Sequence, residues 1–177
     1  SRGLGDVYKR QIPAVYVTAQ DGPWSTGSSW VGGSVPPPSG DVTIDHHVTV
    51  GSHLTVTGSI TISSNKSVSM GAGSDLSHSG ALDNNGSILG SFILTGSSRA
   101  INIGEVEDLI VAVTGIVSVN DNCSISRLLR VDAGATIDVT GYDAMLLADA
   151  SGTALVHDNG GTTLGDFTVE QYLSLIH

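Results

Sequence analysis

The sequence predicts an all-β protein, a right-handed parallel β-helix (solenoid) with an N-terminal cap. Apolar residues make up 40% of the 177 residues but occur as Val/Ile/Leu runs of three to five. These runs never form the stripe of an amphipathic helix. Small polar turns rich in Gly, Ser, Asn and Asp separate them, as expected for strands. The alternation repeats with a period of roughly 20 residues, which is typical of stacked coils.

From Asp41 onward the predicted strands follow one another closely. They are VTI (42–44), VTV (48–50), LTVTGSITI (54–62), SVSM (67–70), ALDNNGSI (81–88), SFILTG (91–96), AINI (100–103), LIVAV (109–113), GIVSV (115–119), LLRV (128–131) and ATIDVTG (135–141). The stretches 69–80 and 130–141 share one design: a strand, an Ala-Gly turn, a second strand and a closing glycine. Strands this short bury too little surface alone, so stacking on neighbouring coils must stabilise them.

Side-chain alternation predicts which residues face the core. Ile60 and Ile62 are expected to point inward with Thr61 outside, and the segment 137–139 repeats this arrangement. Asparagine tolerates left-handed backbone angles, so corners are expected at Asn84, Asn85, Asn120, Asn122 and Asn159. A β-sandwich is the alternative fold, because strands that recur roughly every 8 to 12 residues with glycine turns also suit it.

The two ends differ in character from the rest of the chain. Residues 1–11, SRGLGDVYKRQ, and the tail 173–177, LSLIH, resemble translated sequencing-adaptor read-through in a metagenomic fragment and are excluded from the fold prediction. Residues 12–19 are either a signal-peptide remnant, with cleavage after Ala19, or a first strand. The single solenoid domain is assigned to residues 20–172.

Composition excludes several classes of function. Residues 12–172 hold four basic residues against 16 acidic ones, a formal charge near −12. Nucleic acid is therefore not an expected partner, because neutralising its phosphates needs a basic face. The single cysteine, Cys123, lies in a predicted turn and excludes an internal disulfide framework; a small buried filler is its expected role. No apolar run is long enough to insert into a membrane.

The block 24–50, WSTGSSWVGGSVPPPSGDVTIDHHVTV, carries a resemblance to a known class of protein. With Trp24, Trp30 and the segment 40–44, it resembles the opening of β-helical repeat regions in secreted Bacteroidetes-type surface proteins, including type IX secretion cargo. It is distantly similar to the eight-glycine extracellular domain. The resemblance implies a cap over the first coil, a closing strand within 165–172, and an extracellular or outer cell-surface location.

Two sets of polar residues are candidate metal ligands. The calcium candidates are Asp83, Asn85, Asp121 and Asp158, which offer the oxygen atoms that calcium prefers. They lack the twelve-residue loop spacing and the glycine-rich nonapeptide repeat, and turn chemistry explains them equally well. The second set is Asp41, Asp45, His46, His47 and His53; adjacent histidines on a strand point to opposite faces, so a solvated strand face is expected there.

Catalytic signals are weak, and no catalytic or cofactor-binding residue is assigned. Arg127, Arg130 and Asp132 are the only basic and acidic residues close together in strand-like sequence. Ser-His-Asp order, a GxSxG elbow and a phosphate loop are absent from the sequence. The sequence therefore predicts a non-catalytic stalk or adhesin-like module, with an extracellular glycan or another surface protein as its partner. The alternative is the non-catalytic N-terminal part of an extracellular polysaccharide-degrading enzyme.

Overall fold

A computed structural model describes residues 15–149, 152–153 and 155–169 of the chain. The strands are β1 Val15–Val17, β2 Gly22–Pro23, β3 Asp41–Ile44, β4 Val48–Val50, β5 Leu54–Val56, β6 Ile60–Ile62, β7 Ser67–Met70, β8 Asp75–His78, β9 Leu82–Asn84 and β10 Ser87–Leu94. They continue as β11 Ser97–Ile101, β12 Glu105–Val111, β13 Thr114–Val119, β14 Cys123–Asp132, β15 Ala135–Asp138, β16 Ala144–Leu146, β17 Ala148–Asp149, β18 Gly152–Thr153, β19 Leu155–Asn159, β20 Thr162–Leu164 and β21 Phe167–Val169.

The strands stack as a parallel β-helix of about six turns. Val42 lies beside Ile60, and Ile60 lies beside Leu82, so the coils have the predicted period of about 20 residues. The last coil is longer, since Ile137 lies beside Thr163. These parallel coils confirm the predicted fold class. The β-sandwich alternative is wrong, because the coils pair in parallel with their sequence neighbours rather than forming two antiparallel sheets.

Three sheets make up the walls of the solenoid. An eleven-stranded sheet bends into two limbs; its first limb has the order β2-β4-β7-β10-β12-β14-β16-β21. The later parts of β10, β12 and β14 bend into the second limb, where β5, β8 and β19 join them. The four-stranded sheets β1-β3-β6-β9 and β11-β13-β15-β20 form the remaining wall, connected by the parallel bridge from Asp83 to Asn102.

The core is a set of continuous apolar rows that run from coil to coil. In the first limb the row is Val48, Val68, Ile88, Val106, Ile125 and Leu146, all at most 3% exposed. In the second limb the row is Leu54, Leu76, Phe92, Leu109 and Leu129. As predicted, Ile60 and Ile62 are buried on either side of Thr61. The alternation of short strands therefore generates one shared interior.

The first coil is closed by the tryptophan-containing segment. Trp24 and Trp30 are 5% and 2% exposed and belong to the core. Their rings meet edge to face at a centroid distance of 4.9 Å, and the Trp30 indole N–H donates to the Trp24 carbonyl oxygen at 2.8 Å. This arrangement satisfies the buried polar edge of the ring while the rest fills the core. Within residues 12–19, Val15–Val17 forms β1; the strings 1–11 and 173–177 lie outside the described residues.

Several local predictions differ from the structure. Among the described residues, the only non-glycine position with a positive φ is Asn65, so none of the five predicted corner asparagines adopts the left-handed conformation. Asn84 ends strand β9 and is 1% exposed. The stretches 69–80 and 130–141 both turn through a glycine with positive φ, but they are not equivalent repeats. The first joins the two limbs, whereas the second joins the second limb to the other wall.

Candidate functional site

A change in loop length between coils creates a cleft where the two limbs of the large sheet meet. The register pairs Val68 with Ile88 and Asp75 with Ser91, so residues 69–74 on one coil correspond to only Leu89 and Gly90 on the next. On the following coil Glu107 alone occupies this position. The longer loop therefore overhangs the shorter ones, and the space beside it stays unfilled.

We call this space the corner cleft. It is an open cavity of about 590 Å³, within the size range of small-molecule sites. The residues that line it are Met70, Gly71, Ala72, Gly73, Ser74, Asp75, Gly90, Ser91, Glu107 and Arg127. The overhanging loop is held by Ser74, whose hydroxyl lies within hydrogen-bond distance of the carbonyl oxygens of Val50 at 2.9 Å and Gly71 at 2.5 Å. The wall is thus locally ordered and rich in backbone groups.

Charged groups at the corner cleft are paired with one another across coils. Arg127 donates to Asp108 through Nε at 2.6 Å and also through Nη2, and its Nη1 lies 3.3 Å from Glu107 Oε1. Glu107 Oε2 accepts from the Gly90 backbone N–H at 2.6 Å. The hydrogen bonds that Arg127 donates to Asp108 hold the pKa of the Arg127 guanidinium above its ordinary value. The side chain of Asp108 is largely buried, so this cation neutralises a carboxylate that has lost much of its hydration.

A second ionisable pair lies at the rim of the cleft. His53 Nδ1 contacts Asp75 Oδ1 at 2.5 Å, and His53 Nε2 lies 3.4 Å from the Thr55 hydroxyl. This hydroxyl lies beyond the reach of about 3.2 Å within which a base takes a proton directly. Thr55 in strand β5 and His53 just before this strand are both exposed. The geometry therefore fits hydrogen bonding to a polar ligand better than nucleophilic catalysis.

The calcium candidates do not gather at one place. Asn85 and Asn102 donate to Asp83 Oδ1 at 3.0 and 3.2 Å, so amide N–H groups occupy that carboxylate oxygen. Asp121 accepts from the Asn122 backbone N–H at 2.8 Å, as in an ordinary turn. Asp158 belongs to strand β19, and its side chain lies outside the described part of the structure.

The predicted histidine and aspartate cluster is also dispersed. His46 Nδ1 lies 3.1 Å from both the hydroxyl and the carbonyl oxygen of Thr18, and His47 Nδ1 lies 2.9 Å from the Ser67 hydroxyl. Asp41 and Asp45 each accept a hydroxyl hydrogen bond, from Ser59 and Ser63. Within residues 15–149 and the shorter described segments, no three His, Cys, Asp or Glu side chains are placed to hold one metal ion.

The structure separates the two arginines that the sequence placed together. Arg127 lies in the corner cleft, whereas Arg130 Nε contacts Asp132 Oδ1 at 2.9 Å on the outer face of the second limb. Sequence reasoning missed Glu107 and Asp108, which come from the preceding coil. The sequence signal that could have identified these two residues is the acidic start of the segment EVEDLIV, residues 105–111, where carboxylates lie within a strand.

The neighbours of Cys123 in the sequence predicted a turn, but Cys123 lies in a strand. It begins strand β14, is 6% exposed and packs in the core as a small filler. Burial raises the pKa of its thiol to about 11, so the thiolate is scarce at neutral pH. This environment does not suit a nucleophile.

Comparisons with known proteins found no matching family model and no significant similarity to a curated protein or to a solved structure. No helix within the described residues is long and apolar enough to span a bilayer.

Proposed function

We propose that this chain is a non-catalytic structural or interaction module, a rigid acidic stalk segment of a secreted or cell-surface bacterial protein. The observation that carries the proposal is the uninterrupted core, in which the same inward positions are filled on coil after coil. A solenoid of this kind resists bending because each coil is bonded and packed to the next. The resemblance of block 24–50 to secreted repeat regions supports the extracellular location.

The surface chemistry also supports a stalk over a lectin. Glycan-binding faces usually present exposed aromatic rings, but Trp24 and Trp30 are buried in the core. Tyr142, at 42% exposed, is the only aromatic residue among the large exposed hydrophobic side chains that the structure describes. Arg127 and Arg130 are engaged by neighbouring carboxylates, and Arg99 donates to three backbone carbonyl groups. The described part of the surface thus offers few groups that would select a ligand.

The corner cleft favours a second candidate, the non-catalytic N-terminal part of an extracellular polysaccharide-degrading enzyme. Asp75 and Glu107 are able to accept hydrogen bonds from sugar hydroxyls, and the cleft volume of about 590 Å³ suits one or two sugar rings. In this alternative the chain guides a polysaccharide while chemistry takes place in another module.

A binding and cleavage screen separates the two candidates. The full chain is applied to a glycan array and to soluble polysaccharides, once with calcium and once with a chelator. The stalk proposal expects neither binding nor a change in polymer length. Binding that Asp75→Asn or Glu107→Gln abolishes, but that the distant control Asp41→Asn leaves intact, contradicts the stalk and favours the second candidate. Glycan binding that requires calcium would instead favour a calcium site at Asp83 or Asp121.

A further inference from the structure

Three of the seven asparagines lie in Asn-X-Ser sequences, the motif at which glycans are attached to asparagine. The three motifs are Asn65-Lys66-Ser67, Asn85-Gly86-Ser87 and Asn122-Cys123-Ser124. In each motif the asparagine amide is the acceptor, and the enzyme also requires the hydroxyl residue two positions later. A serine-rich chain contains such motifs by chance, so their positions in the fold decide whether they form a site.

The three motifs lie in register at one corner of the solenoid. Their serines belong to a single row on the first limb of the large sheet, which is Ser67, Ser87, Glu105 and Ser124. Each asparagine precedes its serine by two residues, in the turn that leads into β7, β10 or β14. Neighbouring strands are about 4.8 Å apart, so the three acceptor amides fall along one edge of the stack. We call Asn65, Asn85 and Asn122 the asparagine edge.

All three side chains of the asparagine edge are exposed. Asn65 has a φ of 61° in the turn closed by the hydrogen bond from the Lys66 N–H to the Ser63 carbonyl oxygen. The adjacent pair Asn84 and Asn85 gives a direct contrast. Asn84 is 1% exposed and has glycine two positions later, whereas Asn85 is exposed and has the required serine. In this pair, the motif and the exposure of the amide coincide.

A glycan on these amides leaves the hydrogen bonds of the fold intact. Attachment replaces one of the two hydrogens on Nδ2 and leaves the side-chain oxygen free to accept. Asn85 Nδ2 donates one hydrogen to Asp83 Oδ1 at 3.0 Å, so its second hydrogen is available. Asn122 uses Oδ1, which accepts from the Asp143 N–H at 2.9 Å. The amide of Asn65 has no hydrogen bond to the described residues.

We propose that the asparagine edge is a column of N-glycosylation sites, modified by an oligosaccharyltransferase that uses an oligosaccharide linked to a lipid pyrophosphate. Nδ2 attacks the anomeric carbon of the first sugar and loses a proton. A C–N bond forms, the bond from the anomeric carbon to the pyrophosphate oxygen breaks, and the lipid pyrophosphate leaves. The three serines lie in paired strands, so transfer takes place before the coils close. The inference rests on the proposed extracellular location, because a chain meets such an enzyme during export.

The experiment dilutes the full chain from urea into a purified oligosaccharyltransferase with a lipid-linked oligosaccharide, and then measures its intact mass. The wild type is expected to gain three glycan masses, which peptide mapping places on the asparagine edge. Each single variant, Asn65→Gly, Asn85→Gln or Asn122→Gln, is expected to gain one glycan fewer. Since the acceptor is unfolded when it meets the enzyme, a missing glycan does not reflect misfolding of the variant.

The matched control is Asn102→Gln, at an asparagine on the intervening coil that pairs with Asp83 and lies outside the motif. This variant is expected to keep all three glycans. Refolding gives a second readout. The modified wild type is expected to recover the circular dichroism spectrum of the unmodified chain, because the three acceptor side chains are exposed in the folded state.

Three outcomes would overturn the proposal. The first is a wild-type chain that gains no glycan while a short Asn-X-Ser peptide in the same tube is modified. The second is attachment at asparagines outside the asparagine edge, and the third is a modified chain that does not refold. The reaction uses purified components, so these outcomes leave the extracellular location untouched. Fractionation of cells that express the chain tests that location separately.

Discussion

Asn84 shows how one buried polar side chain replaces an apolar one in a core row. It follows Ile44 and Ile62 in register and is 1% exposed. Its amide Nδ2 donates to the Ile103 carbonyl oxygen at 2.5 Å, and its Oδ1 accepts from the Gly86 N–H at 3.1 Å. The side chain thus satisfies backbone groups at a tight corner where the strand ladder is interrupted.

Replacing Asn84 with leucine is expected to lower the free energy of unfolding by about 2 to 4 kcal/mol, because it leaves buried backbone groups without partners. Urea unfolding followed by circular dichroism measures the change. The neighbouring variant Asn85→Ala is the control; Asn85 is exposed, so its replacement is expected to cost about 0.5 kcal/mol or less. Equal losses in both variants would contradict the assignment of a buried structural role to Asn84 alone.

His78 makes the stability of the protein depend on pH. The ring is fully buried, and its two nitrogens lie 3.1 Å from the carbonyl oxygens of Val56 and Ala81. Arg99 donates a hydrogen bond to the backbone carbonyl oxygen of His78. Burial is the main reason that the pKa of His78 lies below the ordinary 6.5. The unfolded chain therefore binds the proton more readily, so this stabilisation is present above about pH 6.5 and is lost as the pH falls below it.

We expect the urea midpoint to fall between about pH 7 and pH 5, with a contribution of at most about 1.4 kcal/mol per pH unit from His78. His78→Leu is expected to flatten the slope in this window, whatever its effect on overall stability. Asn85→Ala is the control, since it replaces an exposed side chain that does not titrate and should keep the slope. The pKa of Asp132 is lowered by its hydrogen bond from Asn159, so its stabilisation is lost in a separate window, below its ordinary 3.8.

At the scale of elements, glycines allow consecutive coils to approach at one corner. Gly40, Gly58 and Gly80 stack on three successive coils. A Cβ atom built on Gly58 would overlap the Gly40 carbonyl oxygen, and one built on Gly80 would overlap the Gly58 carbonyl oxygen. The neighbours are backbone atoms, which cannot move aside as a side chain does. Glycine is therefore required at this corner because it has no Cβ atom, whatever its backbone angles.

Gly80→Ala is expected to destabilise the fold by about 1 to 3 kcal/mol or more, because the new methyl group forces two coils apart. Thermal unfolding by calorimetry measures the loss. Gly51→Ala is the matched control, since a Cβ there meets no atom within 4 Å and φ is not positive. A wild-type melting temperature for Gly80→Ala would show that the corner is less tightly packed than the structure indicates.

The ion pair between Arg127 and Asp108 connects two coils at the corner cleft. Removing the cation in Arg127→Ala leaves the largely buried Asp108 carboxylate without its partner, and we expect a loss of about 1 to 3 kcal/mol. The double variant with Asp108→Asn is expected to recover part of this loss, because the uncompensated charge is gone. A double-mutant cycle in urea measures the coupling. Additive losses would contradict direct pairing.

The strands were predictable from the sequence where they are short and alternate cleanly. Segments such as 42–44 and 60–62 carry apolar β-branched residues on either side of a threonine, and their inward faces follow directly from the period of two. The long strands β10, β12 and β14 were predicted only in part. Each bends from one limb of the large sheet to the other through an irregular register, and a bend of this kind leaves no fixed pattern in the sequence.

At the scale of the whole molecule, the solenoid was predictable but its cleft was not. The period of about 20 residues and the lack of a helical stripe were sufficient to predict the fold. The corner cleft arises from a difference in loop length between adjacent coils, and its charges come from Asp75, Glu107 and Arg127 on different coils. Such a site depends on which loops become neighbours, so the register of the coils must be known before it is visible.

Calcium is expected to leave the stability of the molecule unchanged. The carboxylate oxygens of Asp83, in strand β9, and of Asp121, in a turn, accept from N–H groups at separate places, so no shared set of ligands is preformed among the described residues. Thermal unfolding with millimolar calcium and with a chelator measures this. Magnesium provides a control for general ionic effects. A rise of several degrees with calcium alone would contradict the expectation, because it would require selective binding to the folded state.

The covered first coil has a consequence for the order in which the chain folds. A polypeptide leaves the ribosome from its N-terminus, so the segment around Trp24 and Trp30 is available before any later coil is complete. Once its edge is closed on one side, this coil offers a single template surface, and every later coil is laid on the one before it. We therefore expect folding to propagate from this coil through contacts between neighbouring coils, without contacts between distant parts of the chain.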